Sequence, residues 1–271
     1  MQIREIDPAN ASYAQASEIC NLISYAFQND DFFKVLLGPR YFMPLPPPVG
    51  SAWHYRKLHF TDTLKMWARL KSNDTRNFEL LNDNNEIIGF SSWGVPRSLK
   101  VETPRWRRVS IWLIKKLLAV VNTVLFFGEG DLSPPTRWNK ARVMFDEIDK
   151  DLGWLNVKDE DLAHLDLDSL TKTLYHQETM WWCFSMAIHP NYHRQGYGKA
   201  LFSRCLEELK PFYPTFKDGE AEISGPAKYG LFASPQGRGL YESMGFVKTR
   251  DIVKELEGTK IELPLYVKTV F

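Results

Sequence analysis

Cysteine is scarce in this chain of 271 residues: there are three, Cys20, Cys183 and Cys205, widely separated and odd in number. That excludes a disulfide framework. No CxxC pair or neighbouring His cluster has metal-ligand spacing, so no metal is expected. An excess of one charge is also missing. Lys plus Arg number 34 against 33 Asp plus Glu, which argues against nucleic acid as a partner. The opening MQIREIDPANASYAQ is polar and lacks the apolar core of a secretory signal. With the unpaired thiols, this points to a reducing, cytoplasmic location. Internal repeats and low-complexity tracts are absent, and 44% hydrophobic residues over this length suffice for one sizeable core.

A long uninterrupted apolar run is the next absence. VSIWLIKKLLAVVNTVLFF, residues 109–127, comes nearest, but Lys115, Lys116 and Asn122 break it. Two lysines at mid-span would cost about 2.5–3.5 kcal/mol each, so no membrane span is expected. The reading adopted is a buried or partly buried helix. The preceding RWRR at 105–108 leaves open a helix lying on a membrane surface.

What is present reads as mixed α and β. MQIREID is a short strand, and residues 16–27 carry Ile19, Leu22, Ile23 and Phe27 at helical spacing. A proline-broken loop at 39–50 precedes a helix over 54–71. NFELLN and EIIGFSSWGV flank DNN at 83–85 and form a hairpin. Residues 96–175 read as helices and loops without strand signals. ETMWWCFSMAI, 178–188, then reads as a central strand buried on both faces and ending at HPNY. A helix follows to residue 210, with Leu201, Cys205, Leu206 and Leu209 on one face.

Between that strand and helix lies HRQGYGKAL, 193–201. A helix N-terminus offers four unpartnered N–H groups and the positive end of its dipole, which suits a phosphate. Gly196 and Gly198 remove β-carbons where the phosphate oxygens would approach, and Arg194 and Lys199 add charge. A plain tight connection is the alternative for a lone GxG. Gly198 is followed by Lys199, Ala200 and Leu201, so neither the P-loop nor the dinucleotide fingerprint is met.

MAIHPNYHRQGYGKAL, 186–201, resembles the acetyl-coenzyme-A motif of the GCN5-related N-acetyltransferases, Q/R-x-x-G-x-G/A after a strand and a V-H-P type turn. One departure is that His193 occupies the Gln/Arg position, with Arg194 and Gln195 displaced. LFASPQGRGLYESMGF, 231–246, is similar to the family's next strand, helix and Y-x-x-x-G-F. The resemblance is close over 178–248, loose over 78–95 and in outline over the first 30 residues. It omits 96–175, which is treated as a helical insertion acting as a lid or acceptor-site wall within one domain, 1–271.

The resemblance implies an α+β, α/β/α layered fold with a mixed, mostly antiparallel sheet and two splayed central strands holding the pantetheine arm. It implies acetyl-CoA as donor, with phosphate contacts from the backbone of His193, Arg194, Gln195, Gly196, Tyr197, Gly198 and Lys199, and with Ala200 closing the turn. Met186, Ala187 and Ile188 would bind pantetheine and polarise the thioester carbonyl, and Ser234 would contact the cofactor. Tyr241 matches the general acid that protonates the leaving sulfur; a phenol with pKa near 10 is protonated at neutral pH. Packing alone is its alternative role.

A general base is not found in the sequence. Phe184 and Ser185 stand where many members carry a carboxylate. Glu178 shares a face with Phe184, but six residues at about 3.3 Å each put it about 20 Å away. Asp30 and Asp31 are carried as candidates beside their ordinary role at a helix end. Trp181 and Trp182 face opposite sides, one of them a candidate for the acceptor cleft, and Cys183 is read as a buried structural thiol. The expected activity is N-acetylation of a small-molecule amine by a monomer or homodimer. An acyl-CoA sensor without turnover and an O-acetyltransferase are the alternatives.

Overall fold

The computed structural model describes residues 1–38, 40–42, 45–46, 52–96, 99, 101–151, 180–209, 215–217, 220–222 and 227–270. Strand β1, Gln2–Glu5, leads to helix α1, Tyr13–Ala26, whose N-terminus is capped by Ser12 accepting from the Gln15 N–H at 3.0 Å. A second, shorter helix, α2, Asp31–Leu37, too short to show periodicity in the sequence, follows at once. Asp30 caps it by accepting from the Phe33 N–H at 3.1 Å, and Gly38 ends it at φ +74°. Helix α3, Ala52–Leu70, then precedes the hairpin of β2, Thr75–Leu81, and β3, Ile87–Gly94. Asn82 shapes the turn, its side-chain oxygen accepting from the Asn84 and Glu86 N–H groups, with Asn85 at φ 61°.

After the helices α4, Arg105–Leu125, and α5, Pro134–Asp151, come β4, Met180–Ile188, and α6, Tyr197–Leu209. A small pair, β5, Thr215–Lys217, and β6, Glu220–Glu222, precedes β7, Ala227–Phe232, α7, Arg238–Ser243, β8, Val247–Leu256, and β9, Thr259–Val270. The main sheet runs β1-β2-β3-β4-β7-β9-β8, antiparallel throughout except for the parallel β4–β7 pair. This is the mixed, mostly antiparallel sheet expected of an α+β chain.

Alternation along β2 sorts the two layers. Phe78 and Leu80 join Trp93, Leu201, Phe202 and Cys205 in a core under α6, while Phe90 and Ala187 meet Ile19 and Leu70 under α1 and α3. Glu79, on the same face of β2 as Asn77, is 1% exposed; Arg4 donates to it at 2.6 Å and Gln15 at 2.8 Å, so the buried charge is compensated and ties β1 and α1 to the sheet.

One sequence expectation changes. Strand β4 is buried on both faces only from Met180 to Cys183; Phe184 is 52% exposed. The apolar run at 109–127 is the partly buried helix expected. Of α4 only Arg107 and Ile114 are buried, and Trp106, Trp112, Leu113 and Val120 are exposed. Its packed stripe, Ile111, Ile114, Leu118 and Val121, lies on Leu64, Trp67 and Ala68 of α3. Helix α5 packs elsewhere, with Ala141, Met144 and Ile148 against Leu36 of α2 and Ile252 and Leu263 of β8–β9. The stretch KDEDLAHLDLDSLTK and Glu178 lie outside the described residues.

Candidate functional site

The site begins where two parallel strands part. Strand β4 pairs with β7 from Met180↔Lys228 to Cys183↔Leu231 and no further, yet stays on β3 as far as Gly89↔Ile188. Beyond Phe232, the Ala233 N–H donates to Pro264 at 3.0 Å, following β9 instead. The parting coincides with a β-bulge. Ser92 pairs with Ser185 and Trp93 with Cys183, so Phe184 is the extra residue, and it bends β4 at that point. Among the described residues no strand pairs with the β7-facing side of Phe184–Ile188, and backbone groups that lose a ladder need another polar partner.

At the far end of β4 the chain turns tightly. The His193 Nε2 bonds the Ile188 carbonyl at 2.8 Å, His189 Nδ1 accepts from the Asn191 N–H at 3.3 Å, and Gln195 donates to the Asn191 carbonyl at 3.1 Å. Burial, with the neighbouring His193, holds His189 below its ordinary pKa, in keeping with Nδ1 as an acceptor. Arg194 at φ 59° and Gly196 at φ +82° make the reversal into α6.

The two glycines have different reasons. Gly196 needs its backbone freedom, and a β-carbon there would project into open space in front of the loop. At Gly198 a β-carbon would meet only ordinary contacts, Leu240 at 3.6 Å, Ile188 at 3.7 Å and Met186 at 3.8 Å. Those distances locate the first turn of α6 directly over the open arm of β4 and beside α7. The Ala200 N–H bonds the Gly196 carbonyl at 3.0 Å, so the N–H groups of Tyr197, Gly198 and Lys199 fall in the helix's first turn, where no intrahelical acceptor exists. Loop, helix end and open strand edge therefore converge.

Tyr241 approaches from α7. It is 7% exposed, with ring centroids 5.3 Å from Phe202 and 6.1 Å from Phe246, and its edge lies where a β-carbon on Gly237 would be 2.8 Å away. Burial pushes the phenol well above its ordinary pKa, and Cys183 at the parting point adds to this, so Tyr241 holds its proton throughout the neutral range. Ser234 shapes the turn before α7: its Oγ accepts from the Gly237 N–H at 3.3 Å.

The carboxylate candidates are otherwise occupied. Asp30 caps α2 and Asp31 pairs with Lys34 at 2.7 Å. Trp181 belongs to the core under α6, whereas Trp182 is buried on the opposite face, edge-on to Phe232 at 5.0 Å. Burial raises the Cys183 thiol to about 12, which fits an inert structural group. The exposed aromatic at the parting is Phe184, with the Arg69 guanidinium 5.6 Å from its ring centroid. Alternation along a strand carries no sign of a bulge, and this pair is a product of the bulge. Phe145 of α5 stacks on Phe232 at 6.3 Å on the same side as Trp182. Among the described residues no group of three or more His, Cys, Asp or Glu side chains could hold a metal ion.

Residues 146–248 match the family model described as Acetyltransferase (GNAT) domain, a span opening within α5 and closing in β8. Comparison with the curated proteins found no match. Similar solved structures include a histone acetyltransferase HPA2 and related acetyltransferase from Corynebacterium glutamicum, at 19% identity and TM-score 0.46, covering 98% of this chain and 96% of that one. NAA60 from Arabidopsis thaliana in complex with acetyl-CoA has 11% identity and TM-score 0.42, covering 99% and 97%. A phosphinothricin acetyltransferase from Sinorhizobium meliloti, also with acetyl-CoA, has 11% identity and TM-score 0.41, covering 99% and 88%.

Proposed function

The chain carries an acetyltransferase domain of the GNAT family, and from that premise we propose that it transfers an acetyl group from acetyl-CoA to the amine of a small molecule. The observation that carries this reading is the parting of β4 from β7 at Cys183–Leu231 with the Gly196 turn and the start of α6 beside it. In it, the pyrophosphate sits in the open space before Gly196, on the N–H groups of Tyr197, Gly198 and Lys199, with the His193–Gln195 backbone around it and Ala200 closing the turn. The edge of β4 that has left β7, at Met186, Ala187 and Ile188, takes the pantetheine arm beside the Ile188 carbonyl that His193 holds, and Ser234 closes the other side. A cytoplasmic setting accords with the three free thiols.

The step itself is direct. The amine nitrogen bonds to the thioester carbonyl carbon while backbone N–H groups of β4 hold the oxygen's developing charge. The carbon–sulfur bond then breaks, and Tyr241 supplies a proton to the departing sulfur. The proton lost by the amine passes to water, since Phe184 and Ser185 provide no carboxylate. A phenol kept protonated by burial is suited to the acid's role, and it is restored from solvent after each turnover. Acceptor selection falls to Phe184, Arg69 and the α5 side of the cleft, which makes the 96–175 insertion a wall of one acceptor-binding domain.

An acetyl-CoA consumption assay over a library of amines, read by mass spectrometry, tests the proposal. Turnover of at least one small amine is expected; turnover of peptides alone would overturn the choice of acceptor. The missing strand carboxylate favours a second reading, a sensor that binds acyl-CoA without turnover. Tyr241→Phe separates the two, because only an enzyme loses rate while keeping its donor affinity.

A further inference from the structure

Helix α4 has two apolar stripes, and the protein uses one. The first rests on α3. The second, Trp106, Val109, Leu113, Leu117, Val120 and Val124, follows helical spacing along one side, with each residue between 47% and 67% exposed. Phe127, just past the helix, is 86% exposed. A contiguous exposed patch of this kind marks a binding surface.

The charges of the helix are all of one sign. Arg105 and Lys116 flank the outer stripe, Arg108 and Lys115 lie farther round the helix, all four are exposed, and there is no carboxylate in residues 105–125; Glu102, before the helix, approaches Arg108 at 4.0 Å. Lys116 lies 5.7 Å from the Trp112 ring centroid and Arg107 5.8 Å from that of Trp106. Tryptophan next to cations is the composition favoured at a lipid headgroup boundary.

The helix is also held in place. At its C-terminal end the buried Lys57 of α3 donates to the Leu125 carbonyl at 3.0 Å and pairs with Glu129 at 2.5 Å, while Tyr41 donates to the same carboxylate. The outer stripe is thus presented on a fixed rod of 21 residues, about 30 Å long. No helix among the described residues is long and apolar enough to cross a membrane.

We propose that α4 docks the protein on the surface of an anionic phospholipid bilayer, its outer stripe in the interface and the flanking Arg105 and Lys116 at the headgroups. A second copy of the chain is the poorer occupant. Two such faces would bring Arg105 and Lys116 of both copies to one seam with no carboxylate on either helix to compensate. The proposal does not depend on the acetyl-transfer reading.

Co-sedimentation of the full chain with vesicles of phosphatidylcholine alone, or with phosphatidylserine added, tests it. Binding to the mixed vesicles at least about tenfold tighter than to the neutral ones is expected, falling as salt is raised. The double variant L113E/V120E should lose this binding with an unchanged melting temperature and circular dichroism spectrum, because both side chains face solvent. R105Q/K116Q, both exposed, should lose the preference for phosphatidylserine while retaining the fold. Failure of the wild-type chain to sediment with the mixed vesicles would overturn the proposal. So would a wild-type dimer that L113E/V120E turns into a monomer without any vesicle binding.

Discussion

Helices α6 and α4 both carry a full apolar stripe and basic residues near their first turn, yet the molecule treats them in opposite ways. Five of the thirteen residues of α6 are buried, and its polar Arg204, Glu207 and Glu208 sit together on the other side, where they pair with one another. What α6 has to offer is its end. Helix α4 buries two residues of twenty-one and turns a second stripe outward. What it has to offer is its flank. The difference lies in the angular spread of the apolar residues: one arc closes a core, whereas two arcs leave a surface that only another body can cover.

The comparison can be broken first at the end of α6. Gly196→Val places a branched side chain at φ +82°, costing about 1–2 kcal/mol in backbone strain, and fills the space before the loop. Calorimetric titration should show no acetyl-CoA binding, whatever the acceptor; retained affinity would remove the donor from this loop. Tyr241→Phe should come next, lowering turnover by about 10²–10⁴-fold with unaltered donor affinity, as read from initial rates and titration together.

Two adjacent residues of α4 test the flank. Ile114→Ala should lower the free energy of unfolding in urea by about 2–5 kcal/mol, since Ile114 is 5% exposed on α3. Leu113→Ala, on the outer stripe, should change it by less than about 0.5 kcal/mol. Equal effects would mean that the outer stripe is covered within the protein.

The smallest expected effect is a pH dependence. Burial alone would raise the Glu129 carboxyl, but hydrogen bonds from Lys57 and Tyr41 and the Lys57 charge bring it below its ordinary 4.5. The folded chain then binds fewer protons than the unfolded one in that window, so this stabilisation is complete above 4.5 and is lost as the pH falls below it. Melting curves across that range should lose part of their slope in Glu129→Gln.

What the sequence made legible is what local chemistry dictates. Strand, turn, Gly196 and helix could be read because paired glycines punctuate the chain between an apolar strand and an apolar-periodic run, and the β2–β3 hairpin because Asp83–Asn85 suits its turn. Helix α2 escaped notice because seven residues give too little periodicity, and NDDFF looked like an acidic pair when Asp30 is a cap. The β8–β9 hairpin went unread although Glu257 and Gly258, both at positive φ, form its two-residue turn. The bulge at Phe184 and the exposure of α4 were beyond reach for another reason. Each is decided by what lies on the other side, a strand that departs or a partner that is missing, and a single chain's periodicity does not contain that.

The strand order carries a last consequence, for the order of events during synthesis. Strand β9 lies between β7 and β8 and is, among the described residues, the one strand paired with β8. Until residues 259–270 have left the ribosome, β7 has only the four pairs that join it to β4, and the turn into α7 lacks the Pro264 carbonyl that holds Ala233. The β7–α7 side of the parting is therefore completed only once β9 has been made, and a growing chain stopped before β9 has β4 in place while β7 is not yet held on its other edge.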